Sequence, residues 1–482
     1  MAYSIPTQYF FRLHHVRPRF KNDVENVLIY VAEKIAELPE EPAEQFKESL
    51  NNAIYMYPGN SIRSVKTINN WRTEISSLFG FIEHDENYDR PGRTAVQLAH
   101  TQDLVQFFKT FLYSFQYPGA HVKSAAIKEQ IEHGVHFKPA QYILKVLDYA
   151  KNKSYKNEKV YITKGEACHC IFNDLRCTRD NEDVSITWKR ITENREHAVR
   201  YDLSGDVIRY AGDIIDYMEL ANLLVTYDHM HYYLNTLESE TVLKFINSTE
   251  WFSEYDDMIA HRKGRLEDIN KCYDDWFRYV NRDLSATDFK TDIITYINSL
   301  PTTQSRAISE TYEKCKKAEE NINTTLQSNK SFDNTKEIGD IGECLVYGHE
   351  CMRLVKSGRK DLVHLVNRIP TQFAVGYDII SVEADSELKR YIEVKTTISS
   401  KPLDFNKVHM TKNEWNTANT ERNRYYIYRL MISKNYVKLF LLQNPVGLYK
   451  DDKIQMIPEN GANISFDSNK VGKFEELLTW RN

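Results

Sequence analysis

Two strand-like segments in the C-terminal third constrain the fold most, because each carries acidic side chains within an apolar run. The segment GYDII contains Asp378, and IEVKTT contains Glu393 and Lys395 fifteen positions later. Alternate residues of a strand point to the same face, so Glu393 and Lys395 share one face while Ile392 and Val394 take the other. Charged groups that converge within a sheet indicate a chemical site.

The residues around these segments alternate between helical and extended patterns. The predicted order is helix, three strands, helix and two strands, over residues 336–358, 363–366, 377–383, 390–397, 411–421, 425–432 and 436–442. Helices that alternate with strands in this way predict a mixed sheet with helices packed on it.

The polar residues of this region suit phosphodiester hydrolysis. Asp378 and Glu393 offer hard oxygen ligands to Mg²⁺, which binds through one or two carboxylates plus substrate phosphate, and Mn²⁺ is expected to substitute for it. Lys395 would orient or deprotonate the attacking water and stabilise charge on phosphorus. Glu343, in GDIGE on the preceding helix, is a further candidate for catalysis and metal binding. One ion or a pair is compatible with these residues.

Simpler explanations exist for the same residues. IEVK also fits an amphipathic strand with a surface ion pair, since the pattern ExK occurs by chance in most proteins. Glu343 also fits an exposed helix glutamate. The combination with GYDI and GDIGE favours the catalytic interpretation.

At these residues the sequence resembles the PD-(D/E)XK nuclease superfamily. More narrowly, GDIGE, GYDI, YIEVKTT, NEW and RYYIYR are similar to the NO VEIN C-terminal-like domain, over roughly residues 333–445. The resemblance implies a restriction endonuclease-like α/β/α fold, metal ligands at Asp378 and Glu393, the signature lysine at Lys395 and the helix glutamate at Glu343. Gly376 and Tyr377 precede Asp378 where the signature has proline.

A helix followed by a hairpin, the pattern of a winged helix, is predicted near residue 80. Ile68, Trp71, Ile75 and Leu78 recur at helical spacing, and FGFIEH with NYDRPGRTAVQLA predicts two strands around a turn at Pro91–Gly92. Arg90 and Arg93 would then lie at the tip, either against DNA phosphate or in a solvated hairpin.

A second helix-plus-hairpin pattern follows. Thr163 and Glu166 have capping-box spacing, Asp213 is predicted to cap IIDYMELA, and LLVTYD with HYYLN predicts strands around a turn near Asp228 and His229. The N-terminal two thirds show a weaker resemblance to the recognition regions of type II restriction endonucleases, carried by WRTEISSLFGFIE and FKTFLYSFQYPG. That resemblance implies DNA recognition.

The composition limits the remaining possibilities. A formal net charge of -5 gives no global field for nucleic acid, so DNA binding requires local basic patches. Seven scattered cysteines predict reduced thiols, and in CHCIFNDLRC buried helix thiols are favoured over a zinc site. The sequence predicts no membrane span and no signal peptide, and it contains no phosphate-binding GxxxxGK[ST] motif. A cytoplasmic, bacterial protein is expected.

These observations predict a multidomain α+β protein. We expect a helical and winged-helix-like DNA-recognition module at 1–150 and a second winged-helix-like one at 151–250. A helical connector or dimerisation segment at 251–330 and a PD-(D/E)XK nuclease domain at 331–482 would follow. The predicted function is Mg²⁺-dependent cleavage of double-stranded DNA in restriction or phage defence, by a homodimer at least during cleavage, with a companion methyltransferase or defence subunit possible. The alternatives are a DNA-binding regulatory or scaffold protein with an inactive nuclease fold, and a nuclease subunit of a larger complex.

Overall fold

The chain divides into two units. The computed structural model describes residues 2–14, 24–57, 65–85, 87–101, 103–154, 160–226, 228–284, 287, 289, 310–311, 338–369, 376–399, 406–433, 436–458 and 461–479. The N-terminal unit comprises residues 1–100 and 104–290, and the C-terminal unit comprises 101–103 and 291–482. Each is described by itself.

The N-terminal unit is mainly helical, as its periodicity predicts. Its helices are α1 Val24–Ala36, α2 Ala43–Tyr55, α3 Val65–Phe79, α4 Arg93–Thr101, α5 Leu104–Ser114, α6 Ser124–Glu132, α7 Pro139–Lys153, α8 Lys164–Ala167, α9 Leu175–Thr178, α10 Val184–Glu196, α11 Gly205–Leu220, α12 Ser239–Ile246, α13 Asp256–Ala260, α14 Leu266–Lys271 and α15 Tyr273–Val280. Its strands are β1 Glu41–Pro42, β2 Ile82–Asp85, β3 Tyr88–Pro91, β4 Leu224–Thr226 and β5 Tyr232–Leu234. Short 3₁₀ helices span Thr7–Tyr9 and Thr236–Glu238, and a π-helix spans Cys168–Phe172.

The first predicted winged-helix pattern is confirmed in its connectivity. The elements α1, β1, α2, α3, β2 and β3 follow in this order, and β3 lies between β1 and β2 in an antiparallel sheet. Packing rather than propensity holds the long helix α3 in place, since Ile68, Trp71, Ile75 and Leu78 are all buried.

The predicted turn of that hairpin is wrong. Asp85 pairs with Tyr88, so the turn follows Asp85, and Pro91 is the last residue of β3. Gly92 precedes α4, where a strand was predicted. A Cβ atom at Gly92 would lie 2.4 Å from the carbonyl oxygen of Gly80, so this glycine permits a close backbone approach.

The second hairpin agrees with its prediction. Strands β4 and β5 are antiparallel, and Asp228 accepts hydrogen bonds from the backbone N–H groups of Met230 and His231. The capping box of Thr163 and Glu166 is also confirmed. The predicted cap at Asp213 is wrong, because α11 begins two turns earlier at Gly205 and Asp213 lies in its interior.

The segment after residue 250 differs from the predicted connector. Helices α13 to α15 contribute to an apolar core of the N-terminal unit, in which Phe252, Tyr255 and Trp276 pack with Ile127 and Ile131 of α6. The residues from 251 to 284 therefore belong to this unit. Most of 285–330 lies outside the described residues.

The C-terminal unit contains a mixed sheet, as predicted, and this sheet has six strands. Its elements are α16 Ile338–Lys356, a 3₁₀ helix Lys360–Leu365, β6 Asn367–Arg368, β7 Ile379–Val382, β8 Lys389–Ser399, β9 Lys407–Thr411, α17 Lys412–Glu421, a 3₁₀ helix Arg422–Arg424, β10 Tyr425–Ser433, β11 Tyr436–Gln443, α18 Pro445–Lys450, β12 Gln455–Pro458, β13 Gly461–Ser465 and β14 Lys473–Glu475. The sheet order is β14-β11-β10-β8-β7-β6, in which β8 and β10 are parallel, and β12, β13 and β9 form a second sheet.

Helices α16 and α17 contact opposite faces of the central strand β8. Gly342 of α16 lies against Thr396, while Glu414 of α17 pairs with the neighbouring residue Lys395. Because consecutive strand residues point to opposite faces, the unit has helix, sheet and helix layers. The predicted strand at 363–366 is wrong, since Lys360–Leu365 forms a 3₁₀ helix.

The cysteines and the apolar character of the helices can be compared with the predictions made from composition. Every described cysteine is a free thiol, and Cys168, Cys170 and Cys177 are buried, as predicted, while Cys315 lies outside the described residues. None of the helices in the described part of the chain combines the length and the apolar character that crossing a bilayer requires.

Candidate functional site

Asp378 immediately precedes β7 and lies beside the middle of β8. Ile379 pairs with Ile392, so the antiparallel register places Asp378 opposite Glu393. The backbone N–H of Asp378 donates to the carbonyl oxygen of Ile392 at 2.9 Å, and its Oδ2 accepts from the backbone N–H of Val394 at 2.8 Å. These bonds fix the carboxylate on the central strand.

Lys395 lies between two carboxylates. Its Nζ is 2.8 Å from Glu393 Oε1 on the same face of β8 and 3.0 Å from Glu414 Oε2 on α17. Glu414 also occupies the N3 position of the capping box whose N-cap is Thr411, and the backbone N–H of Thr411 donates to Glu414 Oε2 at 3.1 Å. The start of α17 therefore positions the second carboxylate.

Sequence reasoning missed Glu414 as a site residue. Two signals could have identified it, because TKNE matches a capping box and NEW is one of the segments that carry the family resemblance. Only the fold reveals that this glutamate, nineteen positions after Lys395 in the chain, contacts the lysine.

Burial dominates the electrostatics of the site, and neighbouring carboxylates add to its effect. Burial raises the pKa of Asp378, and Glu414 adds to this effect. Burial, with the nearby Asp378 and Glu414 carboxylates, raises the pKa of Glu393 well above its ordinary value, although Lys395 opposes it. Burial alone would lower the pKa of Lys395, but Glu393 and Glu414 raise it above its ordinary value. Because burial and neighbouring carboxylates disfavour the ionised forms of Asp378 and Glu393, a bound cation would stabilise those forms.

The donor set fits a magnesium ion that retains several waters. Asp378 and Glu393 occupy opposite positions where β7 pairs with β8 and supply hard oxygen donors, and two carboxylates suffice when the substrate phosphate supplies further oxygens. No three Asp, Glu, His or Cys side chains in the described ranges are grouped closely enough to hold a metal ion. The arrangement thus fits a site completed by water and substrate rather than a closed protein cage.

Glu343, the fourth predicted residue, lies on α16 and pairs with Arg368 of β6. Glu343 Oε2 is 2.7 Å from Arg368 Nη2, and Arg368 Nη1 is 3.2 Å from Cys344 Sγ. The charge of Arg368 acts in turn to lower the pKa of Asp378. Glu343 is therefore linked electrostatically to the site through Arg368, and its role as a ligand stays a prediction.

Arg90 and Arg93 do not lie at the hairpin turn. Arg90 is on β3, where its Nη2 is 2.7 Å from Glu83 Oε2 of β2. Arg93 begins α4, and its Nη2 is 2.9 Å from Asp283 Oδ1. Both side chains are nearly half exposed, and their contact with DNA stays a prediction.

Comparison with known proteins supports relationships for both parts of the chain. The sequence profile described as restriction endonuclease BpuJI, N-terminal, matches residues 3–277, and the profile described as protein NO VEIN, C-terminal, matches residues 342–442. These matches confirm the resemblance to the NO VEIN C-terminal-like domain and the weaker resemblance to restriction endonuclease recognition regions. A search of curated proteins found no match.

A solved structure shares the fold of the N-terminal part. It is described as the crystal structure of pyrene- and phenanthrene-modified DNA in complex with the BpuJ1 endonuclease binding domain. The TM-score is 0.51 and the sequence identity 22%, and the match covers 58% of this chain and 100% of that chain. At this identity the similarity concerns the fold.

Proposed function

Because the chain belongs to the family described as restriction endonuclease BpuJI, N-terminal, we propose that it recognises duplex DNA through its N-terminal unit. We propose further that it hydrolyses phosphodiester bonds in its C-terminal unit. The observation that carries this proposal is the convergence of Asp378, Glu393 and Lys395 on adjacent strands of a mixed sheet. A restriction or phage-defence enzyme is the role that this combination supports best.

DNA recognition is supported by the winged-helix connectivity and by the related binding domain. That domain is described in complex with modified DNA, and its fold covers more than half of this chain. With a net charge of -5, the chain as a whole does not attract DNA, so binding must rely on local contacts to phosphate and base edges.

The C-terminal site would work through its own side chains in three ways. Asp378 and Glu393 would hold Mg²⁺, or Mn²⁺ in its place, which supplies positive charge to the scissile phosphate and acidifies an attacking water. Lys395, kept protonated by its two carboxylates, would donate a hydrogen bond to a phosphate oxygen on which negative charge develops. Glu414 would keep the ammonium directed toward Glu393.

Cleavage of both strands requires more than this one site. A single active site cuts one strand, so we expect two chains to pair at least during double-strand cleavage. A partner methyltransferase or defence subunit would protect host DNA or regulate the enzyme.

The test is incubation of the full chain with modified and unmodified plasmids in Mg²⁺, followed by sequencing of the ends. Defined ends that disappear in chelator support the proposal. Binding without cleavage on any plasmid would favour the DNA-binding scaffold instead, and cleavage only in the presence of other defence proteins would favour a nuclease subunit.

A further inference from the structure

A pair of tyrosines lies beside the candidate carboxylates. Tyr391 is on the same face of β8 as Glu393, two residues earlier, and Tyr377 directly precedes Asp378. The two ring centroids are 4.9 Å apart with an interplanar angle of 57°. At 3.2 to 3.4 Å per residue along a strand, Tyr391 lies about 7 Å from Glu393. Both rings are partly exposed.

The backbone that carries Tyr377 is held in place on two sides. Gly376 has a φ of 79°, and a Cβ atom there would lie 2.7 Å from the carbonyl oxygen of Asn413 on α17. The hydroxyl of Tyr425, the strand partner of Tyr391, donates to the carbonyl oxygen of Gly376 at 2.9 Å. Tyr377 and Asp378 are therefore presented by the same fixed segment.

A guanidinium group completes this surface. Arg424, in the 3₁₀ helix after α17, lies 5.6 Å from the centre of the Tyr391 ring and is about half exposed. Its Nη2 pairs with Glu421 at 2.5 Å, which orients the group and leaves other N–H donors of its five for a further acceptor. Partly exposed aromatic rings next to an arginine form the kind of surface that binds an unpaired nucleotide.

We propose that Tyr377, Tyr391 and Arg424 form a subsite for the nucleotide next to the scissile phosphate. The tyrosine pair stacks on a base that has left the duplex stack, and Arg424 contacts the adjoining phosphate. This inference rests on the proposed nuclease function, because it takes the position of the scissile phosphate from Asp378 and Glu393. It identifies the substrate at the catalytic unit as a locally unpaired DNA strand.

Photo-crosslinking tests this subsite independently of cleavage. The full chain in Ca²⁺ is irradiated with mixed-sequence 30-nucleotide DNA that contains 5-iodouracil, as single strands and as duplexes, and the crosslinked peptides are identified by mass spectrometry. We expect crosslinks at Tyr391 or Tyr377, stronger with single strands. Crosslinks that spare both tyrosines would overturn the subsite.

Kinetics of DNA cleavage give the second measurement. Tyr391→Leu should raise KM roughly ten-fold, the effect of losing one base stack, with a small change in kcat, whereas Tyr391→Phe should match the wild type. Tyr449→Leu is the control, because Tyr449 is a partly exposed tyrosine of α18 that packs on Trp415. An unchanged KM in Tyr391→Leu, with the wild type active, would overturn the subsite alone. Crosslinks at the tyrosines with no cleavage by the wild type would instead contradict the nuclease function.

Discussion

Lys395 depends on two carboxylates that reach it from different elements. Glu393 is fixed by the strand that carries the lysine, whereas Glu414 is fixed by the first turn of α17. The capping box therefore has two roles, since the oxygen that accepts the backbone N–H of Thr411 also contacts the lysine.

These two roles can be separated by substitution. Glu414→Gln retains the capping geometry but removes the charge beside Lys395, so cleavage should fall roughly ten- to a hundred-fold with little change in Tm, as for the loss of one charge-assisted contact. Thr411→Ala should lower stability by about 1 kcal/mol and spare cleavage. Thermal melts and plasmid cleavage of both variants provide the check, and the opposite pattern would contradict the role of Glu414.

At the residue scale, the sequence identified Asp378 and the β8 residues Glu393 and Lys395 but not all of their partners. Asp378, Glu393 and Lys395 follow from strand periodicity and spacing. The pairing of Glu414 with Lys395 and of Arg368 with Glu343 depends on which elements become neighbours in space. Side-chain periodicity within one helix or strand does not reveal which other elements pack against it.

At the scale of secondary-structure elements, helix α16 makes a very close approach to strand β8. A Cβ atom at Gly342 would lie 1.7 Å from Thr396 Oγ1, so only glycine allows the helix to approach the strand this closely. Farther along the helix, the carboxylate of buried Glu350 accepts hydrogen bonds from the guanidinium of Arg353 and from the hydroxyl of Tyr428 on β10. Steric fit and a buried ionic network thus join α16 to the sheet that carries the site.

Two alanine substitutions in α16 test the close contact. Gly342→Ala should destabilise the C-terminal unit by roughly 1 to 3 kcal/mol through overpacking. Gly339→Ala should be neutral or stabilise by up to about 1 kcal/mol, because Gly339 lies in the same helix with no atom within 4 Å of the added Cβ. Urea unfolding measures both, and equal effects would contradict the packing argument.

The buried network predicts a pH dependence of stability. Burial alone would raise the pKa of Glu350, but Arg353 and Arg390 lower it to about 2. A folded-state pKa below the unfolded value stabilises the protein above about pH 4.5, and this stabilisation is lost as pH falls toward 2.

Glu350→Gln should therefore cost roughly 3 to 5 kcal/mol at pH 7, because it leaves Arg353 without its carboxylate partner and buried Arg390 with Glu383 alone. The difference from wild type should shrink between about pH 4.5 and 2. Urea unfolding at pH 7, 5 and 3 measures it, with exposed Glu387→Gln as the control. A difference that stays constant down to pH 3 would argue against the assigned charge state.

The elements that the sequence predicted best are those with strong periodicity. The long helices and the strands β7, β8, β10 and β11 were expected near their observed positions. The turn at Pro91–Gly92 and the strand at 363–366 were wrong, since a Pro-Gly pair also suits the start of a helix and a short apolar run does not distinguish a strand from a helical turn.

At the scale of the whole molecule, the residues after 250 complete the N-terminal unit. Asn281 is buried, its Oδ1 accepts from the backbone N–H of Thr94 at 3.0 Å, and its Nδ2 donates to the carbonyl oxygen of Gly80 at 2.9 Å. Trp276 lies in the core beside Phe252. The polar character of 251–330 suggested a connector because such long-range contacts leave no pattern in the local sequence.

Fragments with two different ends test this boundary. Residues 1–290 should fold and bind duplex DNA, with affinity that falls steeply as salt rises, because phosphate contacts release counterions. A fragment ending at Thr249 should be unstable, since removal of one buried tryptophan already costs about 3 to 5 kcal/mol. Circular dichroism and binding titrations check both fragments. A stable, DNA-binding 1–249 fragment would contradict the observed unit.

The most direct test of the central claim compares cleavage with binding in the same variants. Cleavage of a plasmid whose cut ends have been sequenced is measured in Mg²⁺, and binding of the same DNA is measured in Ca²⁺. The proteins compared are the wild type, Asp378→Asn, Glu393→Gln and Lys395→Ala, with Glu387→Gln as the control. We predict that all four variants and the wild type bind DNA with similar affinity. Cleavage should fall by orders of magnitude in the two carboxylate variants and by a factor of roughly several hundred in Lys395→Ala, while the control retains it. Cleavage that persists in chelator or in Glu393→Gln would show that the active site lies elsewhere.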